Sequence, residues 1–198
     1  KGLKAVIQSK LYLYCPELSN KKAALVSLAS DNKPFNQAAS AWAFLLYKID
    51  FYFPDDQFNP GSFLRKWKMS NKMVNDSIQI FEGLKNRVAS SEISPFEVFN
   101  LGYEFAVEVE YLMAHLDLES KEEVVNQCYE NLPIYHKDEL AITGHDLMNE
   151  TSIRPGPWMS SAIDNALKAV ITNQISNNKE QIISWIKSKK LIPVETID

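Results

Sequence analysis

Two short stretches of this sequence carry side chains suited to holding a polyanion. Arg65, Lys66, Lys68 and Lys72 surround Trp67. Cations spaced this closely can neutralise backbone phosphates, each contact contributing about one unit of salt slope. They also fit an ordinary solvated face if Leu64, Trp67 and Met69 turn inward. The second stretch is Arg154-Pro155-Gly156-Pro157-Trp158. Pro157 has a preset φ and no N–H to waste in a first turn, so it opens a helix. Gly156 lets a backbone or a phosphate come near the free N–H groups of that turn. The element is an anion cradle or a plain helix start, with Arg154, Gly156 and Lys168 as its candidate contacts. Lys187, Lys189 and Lys190 complement a helix C-terminus or form a contact patch.

Marks of catalysis are missing. The six glycines build neither a G-x-G nor a phosphate loop. No Asp-x-Asp offers the paired carboxylates that two-metal chemistry needs. His145-Asp146 resembles half of a metal site, but the partners it would need reduce to His115 and His136 in unrelated contexts. Thr143 capping a helix, with Asp146 at its positive end, explains the pair structurally. Cys15 and Cys128 form no C-x-x-C and have no His at helical spacing, so they read as reduced core thiols of a cytoplasmic protein. No catalytic or metal-ligating residue is predicted.

The elements that must position the cations are helical. Strand-like alternation is scarce and the periodicity predicts an all-α, multi-helix chain. Helices are expected over Leu3 to Tyr14, Lys21 to Ala29, and Phe35 to Phe53, the last dense in aromatics and stopped by Pro54. After a turn-rich connector from Asp55 to Gly61 come Ser62 to Met69 and, capped by Ser70, Asn71 to Val88. Ser94, Pro95 and Glu97 spell a capping box for a helix reaching Leu116. Ser120 and Glu123 spell another, for a helix to Asn131. Leu132 to Ile142 reads as irregular, Gly144 to Asn149 as a short helix, and Pro157 to Thr172 as a long one. Asn177, with Glu180 behind it, opens the last helix. Trp42, Trp158 and Trp185 are expected in the core, Trp158 partly open. A boundary near Leu118 to Ser120 gives two helical domains, 1–118 and 119–198.

Composition permits both. The 198 residues are 45% hydrophobic and 11% aromatic, which suits compact domains. No apolar run approaches the roughly 18 residues of a membrane span, and no membrane role is expected. The net charge of −4 hides an asymmetry. Residues 1–90 hold 13 Lys and Arg against 7 Asp and Glu, while residues 91–198 hold 8 against 18. A polyanion surface therefore belongs to the first half, and the acidic half must rely on local geometry.

The run RPGPWMSSAIDNALKAVITNQISNNKEQIISWIK, Arg154 to Lys187, resembles the tail of bacterial CCA-adding enzymes, the class II tRNA nucleotidyltransferases. So does LPIYHKDELAITGHDLM, Leu132 to Met148. LYLYCPEL (Leu11 to Leu18) and FLRKWKMSNK (Phe63 to Lys72) resemble the body of the shorter, Gram-positive type. The resemblance implies a helical body and tail that grip the acceptor stem and T arm of tRNA. The intact enzyme would add C, C and A to the tRNA 3′ end from CTP and ATP with Mg²⁺. The family's Gly-Ser followed closely by Asp-x-Asp is absent: Gly61-Ser62 stands alone, and the next acid is Asp76. Its Arg-Arg-x-x-Arg and Glu-Asp-x-x-Arg elements are absent too. The chain, which opens without Met, is thus expected to be an excised C-terminal fragment, inactive alone and without a cofactor of its own. Two rivals stand beside this: the same region of a bacterial poly(A) polymerase, and a helical protein-interaction scaffold. The oligomeric state, homodimer included, stays open.

Overall fold

Helix starts are where the sequence acts most directly. In the computed structural model, which describes residues 2–54, 58–90, 92–151 and 153–192, the helices run in chain order as follows. They are α1 (Gly2–Gln8), α2 (Lys22–Ser30), α3 (Ala38–Tyr52), α4 (Pro60–Lys66), α5 (Asn71–Ala89), α6 (Pro95–Leu101), α7 (Tyr103–His115), α8 (Glu122–Glu130), α9 (Gly144–Thr151), α10 (Pro157–Ile171) and α11 (Lys179–Ser188). Single 3-10 turns occur at Leu11–Tyr14 and Lys137–Glu139. The described residues hold no strand, and none of their helices is long and apolar enough to cross a membrane.

Capping explains several starts. Ser70 Oγ accepts the Met73 N–H at 3.2 Å. Ser94 Oγ accepts the Glu97 N–H while Glu97 Oε2 accepts the Ser94 N–H at 2.9 Å, a complete reciprocal box. Thr143 and Asp146 form the same arrangement at α9. The final cap is Asn178, which accepts the Gln181 N–H at 3.1 Å, and not the expected Asn177. Asn177 instead staples a loop, accepting from Ala141 N–H and donating to Glu139 O.

Other departures have local causes. The helix expected from Leu3 to Tyr14 breaks after Gln8, because Lys10 adopts a left-handed φ of 61° and a 3-10 turn follows. The α4 helix starts two residues before Ser62, since Asn59 caps it and Pro60 fills its first turn. The helix expected from Ser94 to Leu116 divides at Gly102, whose φ of 79° is open to glycine and strained for other residues. Trp42, Trp158 and Trp185 are all half-buried, none of them fully inside.

The chain forms two compact units. The first comprises Lys1–Ile93 and Leu101–Val125. Here α3 packs on α5 and α5 on α7, burying Phe44, Leu46, Ile49, Phe81, Leu84 and Leu112 completely. Gly83 on α5 permits this approach, because a Cβ there would stand 3.0 Å from the Leu101 and Val109 side chains. Within the same core, Arg87 Nε–H donates to Glu110 Oε1 at 2.5 Å, and the Lys121 N–H donates to Glu110 Oε2 at 2.6 Å. Arg87 also donates to Ser90 O, so one buried carboxylate closes α5, α7 and the approach to α8.

The second unit comprises Ser94–Asn100 and Asn126–Asp198. Its core is aliphatic: Ala162, Ala166, Leu167 and Val170 of α10 meet Ile182 and Ile186 of α11 and Leu147 of α9. Leu132, Ile134, Leu140 and Ile142, from the irregular stretch, complete it.

Candidate nucleic-acid interface

The segment from Arg65 to Lys72 is the end of α4, a tight turn, and the first turn of α5. Leu64 is fully buried and Met69 half-buried, which fixes the segment's inner side. Arg65, Lys66, Lys68 and Lys72 are all exposed. The turn is made by Lys68, whose φ is 54° and whose N–H donates to Arg65 O at 2.9 Å. That is the left-handed closing position where helices commonly place glycine. A lysine held there keeps a cation beside the helix C-terminus, which favours positive charge.

The four cations are not equally available. Lys72 Nζ donates to Asp76 Oδ2 at 2.6 Å, four residues on, and this bond holds its pKa above the usual lysine value. Lys66 Nζ stands 3.6 Å from Glu17. Arg65 and Lys68 have no ion pair among the described residues. Arg65 lies back along α4 over Gly61, where a Cβ would be 3.1 Å from its Nη1. The Lys72–Asp76 pairing was legible as an i,i+4 spacing. Neither Glu17 nor Gly61 gave a signal: Glu17 is remote in sequence, and Gly61 reads as part of a turn. Trp67, which would face inward if the segment were only a solvated face, keeps 36% of its surface exposed while leaning on Trp42 and Phe63.

At α10 the geometry is different. Gly156 precedes Pro157 with an extended backbone, φ −168°, which any residue adopts. The glycine matters for space: a Cβ there would meet Trp158 Cδ1 at 3.2 Å. The Trp158 indole folds back and its Nε1–H donates to Arg154 O at 3.1 Å. The close approach that Gly156 allows is thus made by the chain's own tryptophan. Arg154 remains exposed, without an ion pair among the described residues. Lys168 stands in the last turn of α10, about 16 Å along the axis from Pro157. Its Nζ lies 5.4 Å from the Phe96 ring centroid, a cation–π contact. The structure therefore keeps Arg154 and Gly156 together and puts Lys168 at the other end of the helix. Lys187 stands 3.7 Å from Glu150, and Lys189 Nζ 5.9 Å from the Trp185 ring centroid.

Nothing near His145 is a metal centre. Its Nδ1 meets the Asn149 amide at 3.1 Å. Asp146 accepts from Lys179 at 2.5 Å and from Thr143. The Lys179 bond first, then those from Thr143, hold its carboxyl well below the usual carboxylate range. Among the described residues no three His, Cys, Asp or Glu side chains gather where they could hold a metal ion. What the geometry offers is a set of exposed cations held at helix ends, the sign of charge that a polyanion meets.

Comparison with known proteins gives the family. The CCA-adding enzyme of Enterococcus faecalis is 32% identical over 190 residues, covering 96% of this chain and 46% of the relative. That of Bacillus cereus is 29% identical, covering 97% and 48%. The chain thus spans about half the length of these relatives. A crystal structure of the Bacillus stearothermophilus CCA-adding enzyme in complex with CTP superposes with a TM-score of 0.77 at 27% identity, covering 88% of this chain and 44% of that one. The family described as tRNA nucleotidyltransferase domain 2 matches residues 33–186, and the chain belongs to it.

Proposed function

We propose that this chain is the tRNA-gripping portion of a CCA-adding nucleotidyltransferase. It holds the acceptor stem and T arm while a catalytic portion, outside the sequence given, adds C, C and A from CTP and ATP with Mg²⁺. The observation that supports this most is the extent of the match: CCA-adding enzymes align along nearly all of this chain, and the chain along only half of them. The exposure and pairing of the cations support the following roles. Arg65 and Lys68, exposed and unpaired, are the strongest phosphate contacts, with Lys66 and Lys72 contributing after release from Glu17 and Asp76. Arg154 is an exposed cation of the second unit with no ion pair among the described residues, and Lys168 is a separate contact further along α10. Duplex RNA is recognised through its backbone and shape, which suits a protein that accepts every tRNA.

Binding of a tRNA minihelix across a salt series tests this. Affinity should be weak at physiological salt and rise steeply as salt falls, with a slope of about −0.9 per phosphate contact in a duplex. Arg65→Glu with Lys68→Glu should abolish binding with helicity intact. The chain alone should incorporate no nucleotide. A chain that ignores the minihelix in dilute buffer is a scaffold, and the reading fails.

A further inference from the structure

Trp67 is one of several exposed aromatics of the first unit, and it stands between exposed cations along the chain. It terminates α4, donates its backbone N–H to Leu64 O, and keeps 36% of its surface open. Its ring is tilted 47° against Trp42 at 5.8 Å and 53° against Phe63 at 6.3 Å, so two neighbours fix it from the protein side. Its indole N–H makes no hydrogen bond among the described residues, whereas that of Trp158 is used internally. Arg65 and Lys66 precede it and Lys68 follows, all exposed. An aromatic face pre-positioned among cations is the combination that holds unpaired nucleotides: the ring takes a base by stacking and the cations take the flanking phosphates. Because its neighbours already fix it, little side-chain freedom remains to be lost on binding.

We propose that the open face of Trp67 is a stacking platform for an unpaired RNA base, presented where a duplex arm ends or loops. This rests on the tRNA-gripping reading and adds to it a residue that reads a base surface in place of phosphates. Bases inside an A-form stem are stacked on one another and cannot reach the ring. The platform therefore selects the end of an arm, and gives the clamp a register along a helix whose phosphates are otherwise alike.

The test uses the full chain and two RNAs, a stem closed by an open loop and the same stem with blunt ends. The wild-type chain should bind the looped stem more tightly and lose tryptophan fluorescence on doing so. Trp67→Ala should lower affinity for the looped stem by about tenfold. It should leave the blunt stem and its salt slope unchanged, and Trp67→Tyr should restore most of the difference. If Trp67→Ala does not fold, Trp67→Phe decides, by retaining the preference while losing the fluorescence change. Equal binding of the two RNAs by the wild-type chain overturns the platform and leaves the grip standing. So does a Trp67→Ala chain that keeps the preference. Binding of neither RNA at low salt fails the grip itself.

Discussion

The two units solve the problem of charge in opposite ways. Every buried polar or charged residue among those described, Lys21, Ser40, Ser77, Glu108, Glu110 and His115, belongs to the first unit. There Arg87 and Glu110 pair with side chains only 10% and 2% exposed, and His115 Nδ1 meets Asp31 at 2.5 Å. The second unit buries aliphatic side chains and keeps its ions outside, as in Lys137–Asp164, with side chains 60% and 53% exposed. A buried pair specifies an arrangement at the risk of a large loss when one partner goes; an exposed pair does little either way. The unit with the basic turn is thus the one whose helices are locked by internal charge.

The largest effect should follow from breaking that lock. Glu110→Ala leaves Arg87 buried without its partner and the Lys121 N–H without an acceptor, and should cost about 3–5 kcal/mol in denaturant unfolding. Replacing Arg87 and Glu110 together by Met and Leu should cost much less, since no orphaned charge remains. Equal losses would mean the pair is not what ties α5 to α7. The matching change in the second unit is Ile182→Ala, at a fully buried position, with an expected loss of roughly 3 kcal/mol from a cavity. Removing Lys137 from its exposed pair should change stability by less than about 0.5 kcal/mol. A larger loss would erase the contrast between the units.

Capping effects come next. Ser94→Ala removes a reciprocal box and should cost about 1 kcal/mol, read from the denaturation midpoint. Lys68→Gly runs the other way. Relief of a left-handed lysine should stabilise the chain by about 0.5–1 kcal/mol, yet RNA affinity should fall because a phosphate contact is lost. Lys190 sits in the same conformation at φ 54°, so Lys190→Gly should give the stability gain without the affinity loss. If both variants bind RNA as the wild type does, Lys68 is only a helix terminator.

The contrast also marks what a sequence discloses. Helix type, the Ser70 cap of α5, the capping box of α6 and the Thr143 cap of α9 were legible because they depend on residues three or four apart. The same held for Lys72 with Asp76. Gly102 was passed over because one glycine in a helical pattern is usually tolerated, and only its positive φ makes it a break. Arg87–Glu110 and Lys66–Glu17 could not be read, since each joins residues far apart along the chain. Asn177 and Asn178 show the limit of resolution: adjacent asparagines both suit a cap, and a one-residue register decided between cap and loop staple. For the candidate site, the cations were found, but which were free and which already paired was fixed by folding.

Acid should test the second unit's charges in a final, smaller way. Asp146 has its carboxyl pKa depressed by Lys179 and Thr143, so its contribution to stability is fully present above the unfolded-state value near 4. That contribution is lost as pH falls below about 4 toward the depressed folded value, because the unfolded chain takes up the proton first. Asp146→Asn keeps the shape and removes the titration. Unfolding of wild type and variant, followed by urea from neutral pH downward, should differ by a constant amount until about pH 4 and then converge. Thr143 can still cap α9 in the variant, so the difference isolates the carboxylate. A gap that stays constant to strong acid would mean Lys179 and Thr143 do not hold Asp146 charged in the fold.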